Sequence, residues 1–143
     1  MRFINPTGMG IRNDSKGLGH HGAPRGYRKH NGVDFECKDG QDILMPVDGL
    51  IARISLPYKD DLKWKGVEII NPRVEIKMWY FVPDFDLIGK ELKAGEVIGM
   101  AQNIGKKYPG VTSHIHVRIT KVDPMLLFSE TDEEIYKDVL RGI

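Results

Sequence analysis

The chain has 143 residues, of which 41% are hydrophobic and 29% charged, and its 21 basic residues against 20 acidic ones leave a formal charge of +1. That is one domain's worth of material with a single core, and its charge balance argues against broad electrostatic binding to nucleic acid. Its longest apolar stretches, such as Val47 to Leu50 or Met125 to Phe128, fall far short of the roughly 20 residues that cross a bilayer.

A lone cysteine, Cys37, excludes an internal disulfide framework and a cysteine-based zinc cluster. Met1 to Gly10 has neither a basic n-region nor a long apolar h-region, so the expectation is a chain without a secretory signal, one that would need another route for export.

Residues 1 to 31 are glycine-rich, with Asn5-Pro6, Asn13-Asp14 and Ala23-Pro24 and no sustained apolar period, and predict a short opening strand followed by a long loop. From Gly32 to Ile54 the pattern changes to short alternating runs. Val33, Phe35 and Cys37 share one face, Ile43 to Met45 and Leu50 to Ile54 follow, and Gly40, Pro46 and Asp48-Gly49 punctuate them as turns. Further strands are predicted at Gly66 to Ile70 and Val74 to Phe81, then near Leu92 and at Val97 to Ala101, with Lys93 to Glu96 as the hairpin turn between the last two. Ser113 to Ile119 alternates cleanly. After Asp123-Pro124 a helical pattern begins, capped by Ser129 or Thr131 and followed by Asp132-Glu133-Glu134, with Ile135, Tyr136, Val139 and Leu140 as its apolar face. Short strands with glycine turns predict one mainly β, antiparallel domain over residues 1–143, with residues 129–143 as an appended short helix.

Five histidines are present. His114 and His116 lie two apart on a strand whose other face is Ile115, Val117 and Ile119, so both imidazoles project to one side about 6.6 Å apart. On that pair alone a solvated strand face is the better explanation, until a second element joins it. His30-Asn31-Gly32-Val33-Asp34 is the second element, because imidazole and carboxylate are a zinc donor set. Four residues of straight strand cover about 13 Å, too far for both to reach one ion, so the chain must bend at Asn31-Gly32. Together the two segments supply three ligands and one spare imidazole. Three protein ligands with an open corner distinguish catalytic zinc from structural zinc, and a neighbouring imidazole can take a proton from water and pass it to a leaving amine. His20 and His21, in the glycine-rich loop, are expected to be solvated.

In this order the motifs resemble the M23 zinc endopeptidases, the lysostaphin-type or LytM-type enzymes that cut peptide bridges in bacterial cell walls. The likeness runs from Met9-Gly10-Ile11-Arg12 through His30-x-Gly-Val-Asp34-Phe and Met45-Pro46-Val47-Asp48-Gly49. It continues through Gly89 to Gly99 and ends with His114-Ile-His116-Val and Val122-Asp123-Pro124, so it covers roughly residues 9 to 128. It implies a lysostaphin-type barrel-sandwich fold, Zn2+ held by His30, Asp34 and His116, His114 as unligated general base, and hydrolysis of peptidoglycan stems or cross-bridges by a wall-lytic enzyme of bacterial or phage origin. The family's additional catalytic histidine is replaced here at or near Tyr80, in Met78-Trp79-Tyr80-Phe81. A phenol is also a neutral hydrogen-bond donor able to face an oxyanion. The loops 13 to 29, 58 to 65 and 103 to 112 are expected to shape the groove. Two alternatives stay open from sequence: a degenerate binding or regulatory module that keeps the fold, and a β-domain that binds carbohydrate or peptide without metal.

Overall fold

The computed structural model describes residues 3–25 and 28–127. Where a long loop was predicted, four two-residue strands, β1 (Asn13–Asp14), β2 (Gly17–Leu18), β3 (Pro24–Arg25) and β4 (Arg28–Lys29), make two antiparallel ribbons. Without alternating apolar side chains to seat on a core, these ribbons stay short.

The remaining strands are β5 (Val33–Glu36), β6 (Asp42–Leu44), β7 (Gly49–Ile54), β8 (Gly66–Ile70), β9 (Val74–Trp79), β10 (Phe81–Pro83), β11 (Glu91–Leu92), β12 (Val97–Ala101) and β13 (His114–Val122). They form a six-stranded sheet in the order β11-β7-β8-β9-β13-β5 and a three-stranded sheet in the order β10-β12-β6, with antiparallel pairing throughout. The fold is therefore mainly β and antiparallel, as the alternation predicted. The short 3-10 turn at Pro124–Leu127 closes the described chain, and the helix predicted for residues 129–143 lies outside the described residues.

Between the sheets sits one apolar cluster. Ile51, Val67, Ile69, Ile76, Met78 and Ile115 come from the larger sheet, and Ile43, Phe81, Ile98 and Ala101 from the smaller. Complete burial of a side chain this size stabilises by about 1.5–3 kcal/mol relative to exposure. Cys37 belongs to the same cluster, and burial pushes its thiol pKa up, as expected of an inert core cysteine.

Two predicted features are corrected. The strand expected over Val74 to Phe81 is broken at Tyr80, whose φ of 82° lies in the left-handed region. There the chain leaves the larger sheet and enters the smaller one. Hydrogen bonds from Tyr80 N to Lys65 O (2.7 Å) and from Gln102 N to Tyr80 O (2.8 Å) hold this conformation, which costs on the order of 1–3 kcal/mol in a non-glycine residue. The hairpin expected between β11 and β12 is also absent. Lys93 to Glu96 does turn the chain, but β11 pairs with β7 while β12 pairs with β6 and β10. Turn chemistry specifies a reversal; which edge each flank then joins is set by the surrounding core.

Candidate functional site

The register of three strands assembles the site. On β13 His116 lies opposite Asp34 of β5 on one side and Trp79 of β9 on the other, while His114 lies opposite Glu36. Because neighbours on a strand alternate, Ile115 faces the core and the two histidines face the outer side of the sheet. The glycine-rich segment covers that side. Arg12 N donates to Asp34 O and Asp34 N donates to Gly19 O, both at 2.8 Å. A Cβ on Gly19 would fall 2.8 Å from Asp34 Cβ, and one on Gly32 would fall 2.7 Å from His116 Cε1, so neither position has room for a side chain. At Asn31-Gly32 the chain bends as its composition requires. His30 is set by backbone hydrogen bonds with Ala23 and Gly22.

His30, Asp34 and His116 converge. His30 Nε2 lies 3.1 Å from both Asp34 Oδ1 and His116 Nδ1, and His116 Nδ1 lies 2.9 Å from Asp34 Oδ1. All three residues are buried. Donors at 2.0–2.2 Å from a tetrahedral ion are spaced about 3.3–3.6 Å apart, so this triangle needs only a few tenths of an ångström of expansion to grip one.

The chemistry of the donors makes the same point. His30 Nδ1 lies 3.1 Å from the His20 carbonyl oxygen, which can only accept, so Nδ1 carries the ring proton. Burial lowers the His30 pKa, so the ring is neutral and Nε2 offers a bare lone pair toward a carboxylate oxygen. A bare nitrogen and a carboxylate this close need either the His116 Nδ1 proton or a cation between them, and with Nδ1 deprotonated the three donors fit Zn2+.

His114 stands apart from the triangle. Its Nδ1–H donates to Thr112 O at 2.7 Å, which leaves Nε2 unprotonated 3.6 Å from Asp34 Oδ2. Burial lowers its pKa as well, keeping the ring neutral and basic. Around Asp34 two guanidinium groups complete the charge balance: Arg12 Nη1 at 3.2 Å and Arg25 Nη2 at 3.6 Å. Burial by itself would raise the Asp34 pKa, but the close contact with His116 Nδ1 outweighs it and holds the carboxyl below its usual range.

Tyr80 lines the same groove, edge-on to His114 with ring centroids 5.4 Å apart. Its hydroxyl lies 3.0 Å from that of Tyr58, which in turn accepts from Tyr108 at 2.9 Å. With Tyr108 donating to Tyr58 and Tyr58 to Tyr80, the Tyr80 proton is left free to point into the groove. Burial and the two neighbouring phenols push the Tyr58 pKa far up, so it stays protonated. Trp79 lies flat against the His116 ring, 5.3 Å between centroids and 12° between planes, with its indole N–H on Ser55 Oγ at 2.9 Å.

An open groove of about 640 Å³ gathers these groups, and its walls come from all three loops singled out by sequence: Lys16 and Arg25, then Tyr58, then Tyr108 and Val111. The His20 and His21 side chains are exposed, as expected. Sequence reasoning did not find Arg25, Tyr58 or Tyr108, nor the stacking role of Trp79. For Arg25, Tyr58 and Tyr108 the only signal was membership of loops that reach the groove, whereas Trp79 lies on β9.

Comparison with known proteins now adds to the geometry. Bovine leukocyte cell-derived chemotaxin-2 is 37% identical over 105 residues, spanning 73% of this chain and 68% of that protein, and the mouse protein is 34% identical over the same spans. The chain belongs to the leukocyte cell-derived chemotaxin-2 family. Myeloid protein 1 of Gallus gallus is 31% identical over 117 residues, covering 79% of this chain and 35% of its own length. No family model matches.

Among solved structures, the catalytic domain of the antimicrobial peptidase lysostaphin from Staphylococcus simulans has a TM-score of 0.55 at 20% identity, over 85% of this chain and 86% of that one. The prophage-encoded M23 protein EnpA from Enterococcus faecalis gives 0.55 at 15% identity, over 85% and 87%. Csd3 of Helicobacter pylori gives 0.60 at 18%, over 99% and 41%. This family member therefore has the lysostaphin-type M23 fold.

Proposed function

We propose that the chain binds Zn2+ through His30 Nε2, Asp34 and His116 Nδ1 and hydrolyses peptide bonds at that centre. The observation that carries this reading is His114: a buried imidazole with its proton parked on Thr112 O and a bare Nε2 beside the three converging ligands. When bound, the metal polarises a carbonyl and makes a nucleophile of water at neutral pH.

The residues of the chain do the rest. His114 Nε2 accepts the proton of the attacking water and returns it to the leaving amine. Tyr80 donates its free O–H to the developing oxyanion in place of the histidine that the resemblance leads one to expect. Trp79 holds the His116 ring in one orientation, and Arg12 and Arg25 hold the Asp34 carboxylate. The substrate implied by the resemblance is a small-residue peptide of peptidoglycan.

Zinc-loaded protein incubated with purified cell walls should release new amines. In His114→Ala the rate should fall by about 10²–10⁴-fold while zinc, measured by elemental analysis, stays near one per chain. Loss of zinc in that variant would contradict the division of roles.

A second reading, a peptide-binding module that holds zinc but turns nothing over, is favoured by Tyr80 itself and by curated relatives whose names speak of chemotaxis or myeloid origin. Tyr80→Phe separates the two. Under the hydrolytic reading the rate drops by about 100-fold or more. Unchanged amine release would remove Tyr80 from the mechanism, and no release from the unaltered zinc-loaded protein would leave the binding module.

A further inference from the structure

The groove has two unlike walls. One is made of the phenols Tyr58, Tyr80 and Tyr108, of which Tyr80 keeps its proton free, and the other of the cations Arg12, Lys16 and Arg25. These cations are not equivalent. Arg12 is buried and spent, with Nε on Asp14 at 2.8 Å and Nη1 on Asp34 at 3.2 Å.

Arg25 is fixed by backbone, Nη1 on Pro24 O at 2.9 Å and Nη2 on Leu18 O at 2.8 Å, and keeps 27% of its side chain exposed. Two carbonyls cannot neutralise a guanidinium, and Asp34, 3.6 Å away, already serves Arg12 and the imidazoles. Lys16 lies in the turn between β1 and β2 with its stem laid over Gly110, where a Cβ would meet its Cε at 2.9 Å. Its ammonium has no ion-pair partner among the described residues. Among the described residues, Asp34 is the only acid lining the groove.

We propose that this wall is a carboxylate-binding subsite: the groove takes a peptide carrying a carboxylate, gripped by Arg25 and Lys16 beside the His30–Asp34–His116 cluster. The proposal deepens the peptide-binding reading above and rests on it, but needs no turnover. Among the described lining residues one acid faces two uncommitted cations, Lys16 and Arg25, with the Tyr80 hydroxyl as a free donor, so the groove offers positive charge and a hydrogen. An anion satisfies both, where a neutral peptide leaves the cations without a counter-charge. The fixed guanidinium fork suits the two oxygens of a carboxylate, and the ammonium adds a second point charge.

The test titrates the full chain, zinc-loaded and at low ionic strength, by calorimetry with three probes. These are N-acetyl-tetraalanine as the free acid, the same peptide as its C-terminal amide, and the amide with Glu as its last residue. The free acid binding about fivefold or more tighter than the plain amide assigns the chain terminus. The Glu amide doing so assigns an acidic side chain. One exposed ionic contact accounts for a factor of this size.

Lys16→Gln and Arg25→Gln should each shrink that preference, and added salt should erode it, with zinc content unchanged in Lys16→Gln, whose side chain does not touch the Asp34 carboxylate. Lys93→Gln, far out on the opposite turn, should leave it intact. Equal affinity for all three peptides, no binding of any, or a preference that survives both groove substitutions overturns the proposal. The zinc reading is judged separately, by elemental analysis of the same samples. A protein without zinc that still prefers the acid keeps the subsite and loses the metal, and a zinc-loaded protein indifferent to charge does the reverse.

Discussion

The two faces of the six-stranded sheet are built from the same strands and do opposite things. Along β9 and β13, one face presents Ile76, Met78 and Ile115 to a closed apolar core. The other, joined by β5, presents Asp34, Trp79, His114 and His116 to a covered but polar groove. A core residue tolerates a neighbour of similar volume, whereas each polar residue of the groove depends on a particular atom of another. The packing of the first face is what allows His30, Asp34 and His116, from segments about eighty residues apart, to meet within 3.1 Å.

The comparison is broken most severely at Asp34. Asp34→Ala leaves Arg12 and Arg25 without their shared carboxylate in a buried setting and removes one of the three proposed zinc ligands. Stability should fall by about 3–5 kcal/mol in denaturant titration, since removing one partner strands buried charge. Zinc content should drop to near zero even under conditions where the chain stays folded. A variant that stayed folded and retained zinc would show that the ion sits elsewhere.

The core face sharpens the contrast. Met78 is completely buried and adjacent in sequence to Trp79, which packs on His116. Met78→Ala should cost about 2–5 kcal/mol, comparable with Asp34→Ala, yet leave zinc stoichiometry at one per chain below its lowered melting temperature. If metal were lost in proportion to stability, the two faces would be coupled more tightly than their opposite orientation allows.

How much of this was legible in sequence follows the same division. Alternation gave β8 with both boundaries and placed His114 and His116 on one face with Ile115 on the other, because a period of two is a direct consequence of strand geometry. The bend between His30 and Asp34 was legible from distance alone. The break at Tyr80 was not, since a tyrosine at φ 82° is held there by Lys65 and Gln102, residues 15 and 22 positions away, and leaves no local signature. Nor were Arg25, Tyr58 and Tyr108 legible as site residues. They sit in loops without periodicity, and only the folded chain brings their side chains to one groove.

The smallest expected effect lies where the covering segment meets the sheet. Burial alone would raise the Asp14 pKa. The Arg12 side chain at 2.8 Å and the backbone N–H groups of Thr112 and Lys16 more than offset that and hold the carboxyl far below the usual carboxylate range. A group with a depressed folded-state pKa adds stability that is fully present above its unfolded value near 3.8 and is lost as pH falls toward the folded value. Acid titration of the folded chain should therefore show a loss of stability beginning below about pH 5. Asp14→Asn should flatten part of that loss while lowering stability slightly at neutral pH. Because Asp14 also fixes the guanidinium that reaches Asp34, the variant should bind zinc more weakly while the core retains its packing. An acid limb identical in Asp14→Asn and the unaltered chain would mean that the Arg12–Asp14 contact adds nothing to the cover over the groove.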